Sequence, residues 1–294
     1  MSTTTTTTTT TTTRTEAPTT ARELFGDVYV NGPIRVDATT TTRLDDDDDV
    51  DVETKRRRHQ WRKHTRYVYG PFTNWDCEEL GKTLAVHVFD GILNVDAREI
   101  ATIAMDEREK SGGVGISVSN VGGYHSTPNA FERRREDGMR ALRELMERAC
   151  ARVCEENAPL SKFMIKNLMG RGDPSVVTTS WVNVCEASNG HGLHNHVNAV
   201  WSGVYYASTG KDEDDDDEGS DGEDAPGDLL IRVTAGGIDP MVDKSGYCKY
   251  ARVKPKNGRL VVFPSWVLHG VLASSAPSPR VSIAFNTGET NVSF

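Results

Sequence analysis

VVTTSWVNVCEASNGHGLHNHVNAVWSGVYYAS, residues 176–208, is the stretch whose reading decides the fold. Its two ends, VVTTSWVNVC and WSGVYYAS, are short runs of β-branched and aromatic residues, the composition of strands. Between them Ser188, Asn189 and Gly190 break the pattern, and three of the chain's eight histidines follow at His191, His194 and His196. Side chains at i and i+2 of a strand share a face, so this spacing turns the imidazoles of His194 and His196 one way. That is the geometry of two metal ligands, and the competing reading is a polar loop.

The same rhythm continues on both sides of this stretch. KFMIKNL, DLLIRVT, YARVKP, GRLVVFPSWV and RVSIAFNT are further short β-prone runs separated by Gly, Pro, Asn and Asp. Seven such runs without intervening helices argue for an antiparallel sandwich or barrel. Upstream, an apolar segment TLAVHVFDGIL precedes a helix signature, in which Asp96 caps, Ile100, Ile103 and Ala104 form the apolar face, and Gly112 and Gly113 stop the helix. A longer helix is expected in FERRREDGMRALRELMERACARVCEENAP, with Met139, Leu142, Met146, Ala149 and Val153 on one face and Pro159 beyond its end. Acids interleave its arginines, so that face reads as solvated rather than as a nucleic-acid surface.

Composition divides the chain. The net charge of −9 is concentrated, because the runs 45–53 and 212–228 hold 18 of the 43 acidic residues. What remains is a near-neutral body with charged appendages. MSTTTTTTTTTTTRTEAPTT cannot bury enough apolar surface to offset the entropy of ordering, so residues 1–65 are expected to be disordered and 66–294 to form the domain, with helical support over 84–160. The acidic run 211–228 reads as a disordered insertion in a hairpin. The Thr-rich start faintly resembles an organelle transit peptide, and KRRR at 55–58 suits either a nuclear localisation signal or a charge balance to the aspartates before it. Five scattered cysteines and no apolar leader point to reduced thiols in an intracellular protein, and no apolar run is long enough to cross a membrane.

A first-row metal needs at least one more ligand from another strand. His269, closing GRLVVFPSWVLH, is the candidate. Arg280 and Ser282 follow on what should be the next strand, again with same-face spacing. An inward-facing guanidinium in a small barrel requires an anion to meet it, and a carboxylate suits a guanidinium with a neighbouring hydroxyl.

Two clustered histidines, a distant third and an arginine one strand later resemble the pattern of the 2-oxoglutarate and Fe(II)-dependent oxygenases. NGHGLHNHVNAVWSGVYY, GRLVVFPSWVLHGV and PRVSIAFN are similar to the motifs of one branch of that superfamily, as are ISVSNVGGYHS and SWVNV upstream. The likeness spans roughly residues 84–290. It implies a mainly β fold, a double-stranded β-helix (jelly roll, cupin-like) with flanking N-terminal α-helices. By the same resemblance His194 and His269 are iron ligands, Arg280 and Ser282 bind the distal carboxylate of 2-oxoglutarate, and O2 is the other cosubstrate; the products are a hydroxylated substrate, succinate and CO2.

The middle ligand departs from the pattern, which commonly has Asp or Glu where this chain has His196. Either His196 ligates, or a water or second anion fills the position, or metal is bound without ordinary turnover; ligation by His196 is the reading taken. His191 is assigned to the rim or to the groups just behind the ligands, and Asn183, sharing a strand face with Trp181, to the keto acid or substrate. Of Tyr205 and Tyr206 only one is able to line the cavity. Two alternatives stay open, a cupin-like metal dioxygenase or isomerase that does not use 2-oxoglutarate, and a non-catalytic binding protein.

Overall fold

The computed structural model describes residues 16–25, 29–33, 60–69, 84–157, 173–196, 198–211, 225–233 and 247–288. The expected strand KFMIKNL, the KRRR cluster and the run 212–224 lie outside the described residues. Thirteen strands are present among the described residues: β1 Tyr29–Pro33, β2 Lys63–Tyr69, β3 Leu84–Asp90, β4 Asn120–Val121, β5 Tyr124–His125, β6 Val177–Cys185, β7 Gly190–His194, β8 Trp201–Ser208, β9 Leu229–Arg232, β10 Tyr247–Val253, β11 Leu260–Pro264, β12 His269–Val271 and β13 Arg280–Thr287. They form a seven-stranded sheet in the order β2-β3-β11-β8-β13-β6-β5 and a six-stranded sheet in the order β1-β10-β9-β12-β7-β4. Apart from the parallel β1–β10 pair, every ladder is antiparallel. This is the mainly β, jelly-roll arrangement expected.

Alternation along the strands builds two cores. Val86, Val88, Tyr206, Leu229, Ile231, Ala251, Val261 and Phe263 pack together, drawn from both sheets. The opposite face of the larger sheet, with Phe89, Val182, Val184, Tyr205, Ile283 and Phe285, packs against the helices. Tyr205 and Tyr206 thus lie on opposite faces, as period-2 alternation requires, and Tyr206 is the one that lines the cavity described below.

The helices follow their sequence signals closely. α1 (Ala21–Phe25) is short; α2 spans Ala97–Lys110, capped by the Asp96 side chain, which accepts from Arg98 N–H. It buries Ile100, Ile103 and Ala104 and ends before Gly112 and Gly113, both at positive φ (67° and 72°), where a side chain would be strained. The second expected helix is in fact two. α3 (Ala130–Arg133) stops because Arg134 is extended and its guanidinium pairs with Asp106 and Glu136. α4 then runs Asp137–Glu156, with the expected face of Met139, Leu142, Met146, Ala149 and Val153 buried. Leu142 is fully buried in the core between α4 and the sheet. Leu142→Ala is therefore expected to lower stability by about 2–5 kcal/mol, read as a shifted urea midpoint with an unchanged slope.

Structure also appears where disorder through residue 65 was expected. α1 buries Ala21, Leu24 and Phe25 against Leu230, Tyr250 and Leu272, and β2 pairs with β3 over seven residues, Lys63–Tyr69 against Leu84–Asp90. Both segments are stabilised by strands distant in sequence, which local composition does not report. At the far end of the acidic run, residues 225–228 likewise form an ordered turn. No helix among the described residues is long and apolar enough to cross a membrane.

Candidate functional site

The two sheets enclose a cavity with about 530 Å³ of atom-free space, part of it open to solvent. The smaller sheet contributes His194 from β7 and His269 from β12, which stand opposite each other in the ladder. The larger sheet contributes Asn183 from β6, with Arg280 and Ser282 from β13, and Ser282 pairs in register with both Asn183 and Tyr206. All of these residues, with His196, line the one space.

A donor nitrogen from each of His194, His196 and His269 lies within 4.8 Å of the other two. His194 Nδ1–H donates to Gly192 O at 2.8 Å, and His269 Nδ1–H donates to Val267 O at 2.8 Å. Each bond fixes the tautomer and leaves the Nε2 lone pair free, the usual outer-shell arrangement of a metal-ligating histidine. The His194 and His269 rings are 4.3 Å apart, and His196 lies 5.1 and 5.2 Å from them.

His196 arrives by a different route from the one expected. β7 ends at His194, so the same-face rule for a strand does not place His196. A turn does: His196 N–H donates to Ser265 O at 2.8 Å and the Asn195 amide donates to Trp266 O at 3.2 Å. The Trp181 ring lies 5.5 Å from His196 and is itself stacked on His125 at 5.7 Å.

His191, expected at the rim or just behind the ligands and off their strand face, is in the interior and on the cavity face. Between His269 and Val271 on β12 the opposite strand spends three residues, His194 to His191. This β-bulge rotates His191 onto the cavity face, although it stands an odd number of residues from His194. It is buried, with Nδ1 3.3 Å from Ser119 Oγ and Nε2 3.7 Å from Cys185 Sγ. Sequence reasoning missed Ser119; the only available signal was its place in ISVSNVGGYHS.

Burial holds all four imidazoles in the neutral form. It pushes His196 down to about 3, lowers His194, and takes His191 and His269 well below the usual histidine range, helped at His191 by the Arg280 charge. The unfolded chain takes up these protons near pH 6.5 while the folded chain refuses them. Their contribution to stability is complete above that pH and is lost as pH falls toward the folded values. The melting temperature of the metal-free protein is thus expected to fall by roughly 5 °C or more between pH 7 and pH 5, and a rise over that range would contradict neutral burial.

Arg280 is 3% exposed. Its Nη1 donates to Gly227 O at 2.9 Å and its Nη2 faces Cys185 Sγ at 3.6 Å, while Nε has no partner among the described residues. Asn183 Oδ1 is similarly buried and has no hydrogen-bond partner among the described residues. The turn carrying Gly227 is the end of the segment expected to be a disordered insertion, and it is ordered here because its carbonyl receives the guanidinium. Asp228 beside it is taken by Arg252, and burial still raises its carboxyl to about 6. Among the described residues no carboxylate joins the three histidines as a donor group.

Residues 179–286 match the family model described as "Putative 2OG-Fe(II) oxygenase". No curated protein matches the chain. Among solved structures, a prolyl-4-hydroxylase from Pseudomonas putida is similar at 14% identity, TM-score 0.41, over 67% of this chain and 90% of that one. A prolyl hydroxylase from Trichoplax adhaerens, in complex with a hypoxia inducible factor peptide fragment, is similar at 15% identity, TM-score 0.40, over 69% and 83%. A collagen prolyl hydroxylase from Paramecium Bursaria Chlorella virus-1 is similar at 10% identity, TM-score 0.38, over 68% and 94%. The barrel strands that bring His194, His196, His269 and Arg280 together fall inside the matched segment, so the part of the chain that holds these residues is the part similar to the 2OG-Fe(II) oxygenase family model.

Proposed function

We propose that the barrel holds Fe(II) through His194, His196 and His269, binds 2-oxoglutarate with Arg280 and Ser282, and hydroxylates a substrate with formation of succinate and CO2. One observation carries the reading: a buried guanidinium with an unpartnered Nε shares a cavity with three neutral imidazoles. Neutral nitrogen donors suit a first-row metal, and a carboxylate is the group that satisfies Arg280. When bound, iron with 2-oxoglutarate and O2 supplies the oxidative chemistry.

The chain's own residues bind and orient. Arg280 and Ser282 receive the distal carboxylate, and Asn183, next to Ser282 in the ladder, is placed for the keto acid or the substrate. Tyr206 faces the same cavity with its phenol raised to about 12, chiefly by burial, so it remains a neutral hydroxyl. Phe263, edge-on to His269 at 4.7 Å, and Trp181 against His196 form apolar walls that keep water off the imidazoles. No general acid or base is required of the protein.

His196→Asp is the discriminating substitution. A carboxylate there adds negative charge to an otherwise all-imidazole donor set. Fe(II) affinity, read by anaerobic titration, is expected to be retained or to rise, and indifference of affinity to His196→Ala would place His196 outside the ligand set.

A further inference from the structure

A second group of ligand-type side chains stands on the helix face of the larger sheet, away from the cavity. His64 on β2, His87 on β3 and Glu156 at the end of α4 offer donor atoms within 4.8 Å of one another. His64 is 2% exposed and His87 is fully buried. Two adjacent imidazoles in an apolar core, beside a carboxylate and with no part in the oxygenase site, need a reason to be there.

The spacing suits a metal ion. His64 Nε2 and His87 Nδ1 are 3.0 Å apart, and His87 Nδ1 is 3.6 Å from Glu156 Oε2. A tetrahedral ion with bonds of about 2.0–2.1 Å to nitrogen and oxygen sets its ligand atoms roughly 3.3 Å apart. The donors are already oriented. Phe89 stacks on His64 at 4.2 Å and 3°, and Arg152 Nε holds Glu156 Oε1 at 2.8 Å, leaving Oε2 toward His87. Burial lowers His64 to about 4 and His87 well below its usual range, with the Arg66 and Arg152 charges acting the same way, so each ring carries a lone pair at neutral pH. We propose that His64, His87 and Glu156 form a second metal site, for a divalent ion of the zinc class, which clips the end of α4 to the edge strand β2 and its neighbour β3.

Without metal the same atoms form a directed chain of hydrogen bonds. Asn157 Nδ2 donates to Val153 O at 2.8 Å and to His87 Nε2 at 2.9 Å, and Asn157 Oδ1 accepts from Arg66 Nη2 at 3.3 Å. His87 therefore carries its proton on Nδ1 and donates to His64 Nε2. Metal binding replaces that Nδ1–H bond with a metal–nitrogen bond and moves the proton to Nε2. Val153 O and Arg66 Nη2 hold the Asn157 amide with its N–H toward His87, so Nε2–H then meets a donor where metal-bound histidines generally find an acceptor, a mismatch that an aspartate at 157 would relieve. The two guanidiniums disfavour any cation, and the nitrogen-rich donor set favours zinc or cobalt over magnesium or calcium.

The test uses the metal-stripped full chain and Co(II) as probe. Wild type is expected to bind two equivalents, His269→Ala to keep one, and Glu156→Gln and His87→Ala each to lose one. Glu156 lies at the surface side of the group, so Glu156→Gln keeps the test valid should His87→Ala fail to fold. Asn157→Asp, which supplies a carboxylate to His87 Nε2–H, is expected to tighten the second equivalent about tenfold. Equal Co(II) content in wild type and Glu156→Gln, or no tightening in Asn157→Asp, would overturn the second site. These outcomes are independent of the oxygenase reading, since Fe(II) with 2-oxoglutarate should give the same spectrum in Glu156→Gln as in wild type.

Discussion

Arg280→Gln is expected to raise the dissociation constant for 2-oxoglutarate at least about 100-fold, because two charge-assisted hydrogen bonds are lost, each contributing about 1.5–3 kcal/mol. The guanidinium is 3% exposed, with Nη1 given to Gly227 O and Nε to nothing among the described residues. A buried charge in this state is unfavourable unless an anion meets it. The variant removes the charge, so its unliganded stability should change little or rise, while the thermal shift produced by 2-oxoglutarate disappears. Arg280→Lys keeps the charge but lacks the planar fork, and should fall between wild type and glutamine. Equal 2-oxoglutarate affinity in all three proteins, by calorimetric titration with Fe(II) under anaerobic conditions, would show that the keto acid binds elsewhere.

His269→Ala is expected to have the second large effect. Removing an outer-shell partner of a metal ligand commonly weakens binding 10–100-fold, so removing a ligand should exceed about 100-fold. His269 is the most enclosed of the three imidazoles at 5% exposure, it is held by Val267 O, and it faces His194 in the ladder. Loss of Fe(II) binding with a native circular dichroism spectrum supports the assignment. Metal content equal to that of wild type at the oxygenase site would refute it.

Much of the barrel was legible in the sequence because its strands are short, β-branched and regularly punctuated, and because α2 carries a cap, an apolar face and a glycine stop. That His194, His269, Arg280 and Ser282 face one cavity was legible for the same reason, since they sit at strand positions where alternation decides the facing. Where alternation fails, so did the reading. His196 lies past the end of β7 and is placed by a backbone bond to Ser265, and the facing of His191 is reversed by a bulge that alternation does not foresee. α1 and β2 were missed because their stabilising partners are strands far along the chain. The break between α3 and α4 depends on where the Arg134 guanidinium finds Asp106, a tertiary contact without a local signal.

The most direct test of the central claim is the visible spectrum of the purified protein under anaerobic conditions, with Fe(II) and then 2-oxoglutarate added. A weak charge-transfer band should appear only when both are present, and it should vanish in His269→Ala and require far more 2-oxoglutarate in Arg280→Gln. If Fe(II) is bound and no band forms at any 2-oxoglutarate concentration, the cavity between the two sheets is not a 2-oxoglutarate-dependent iron centre.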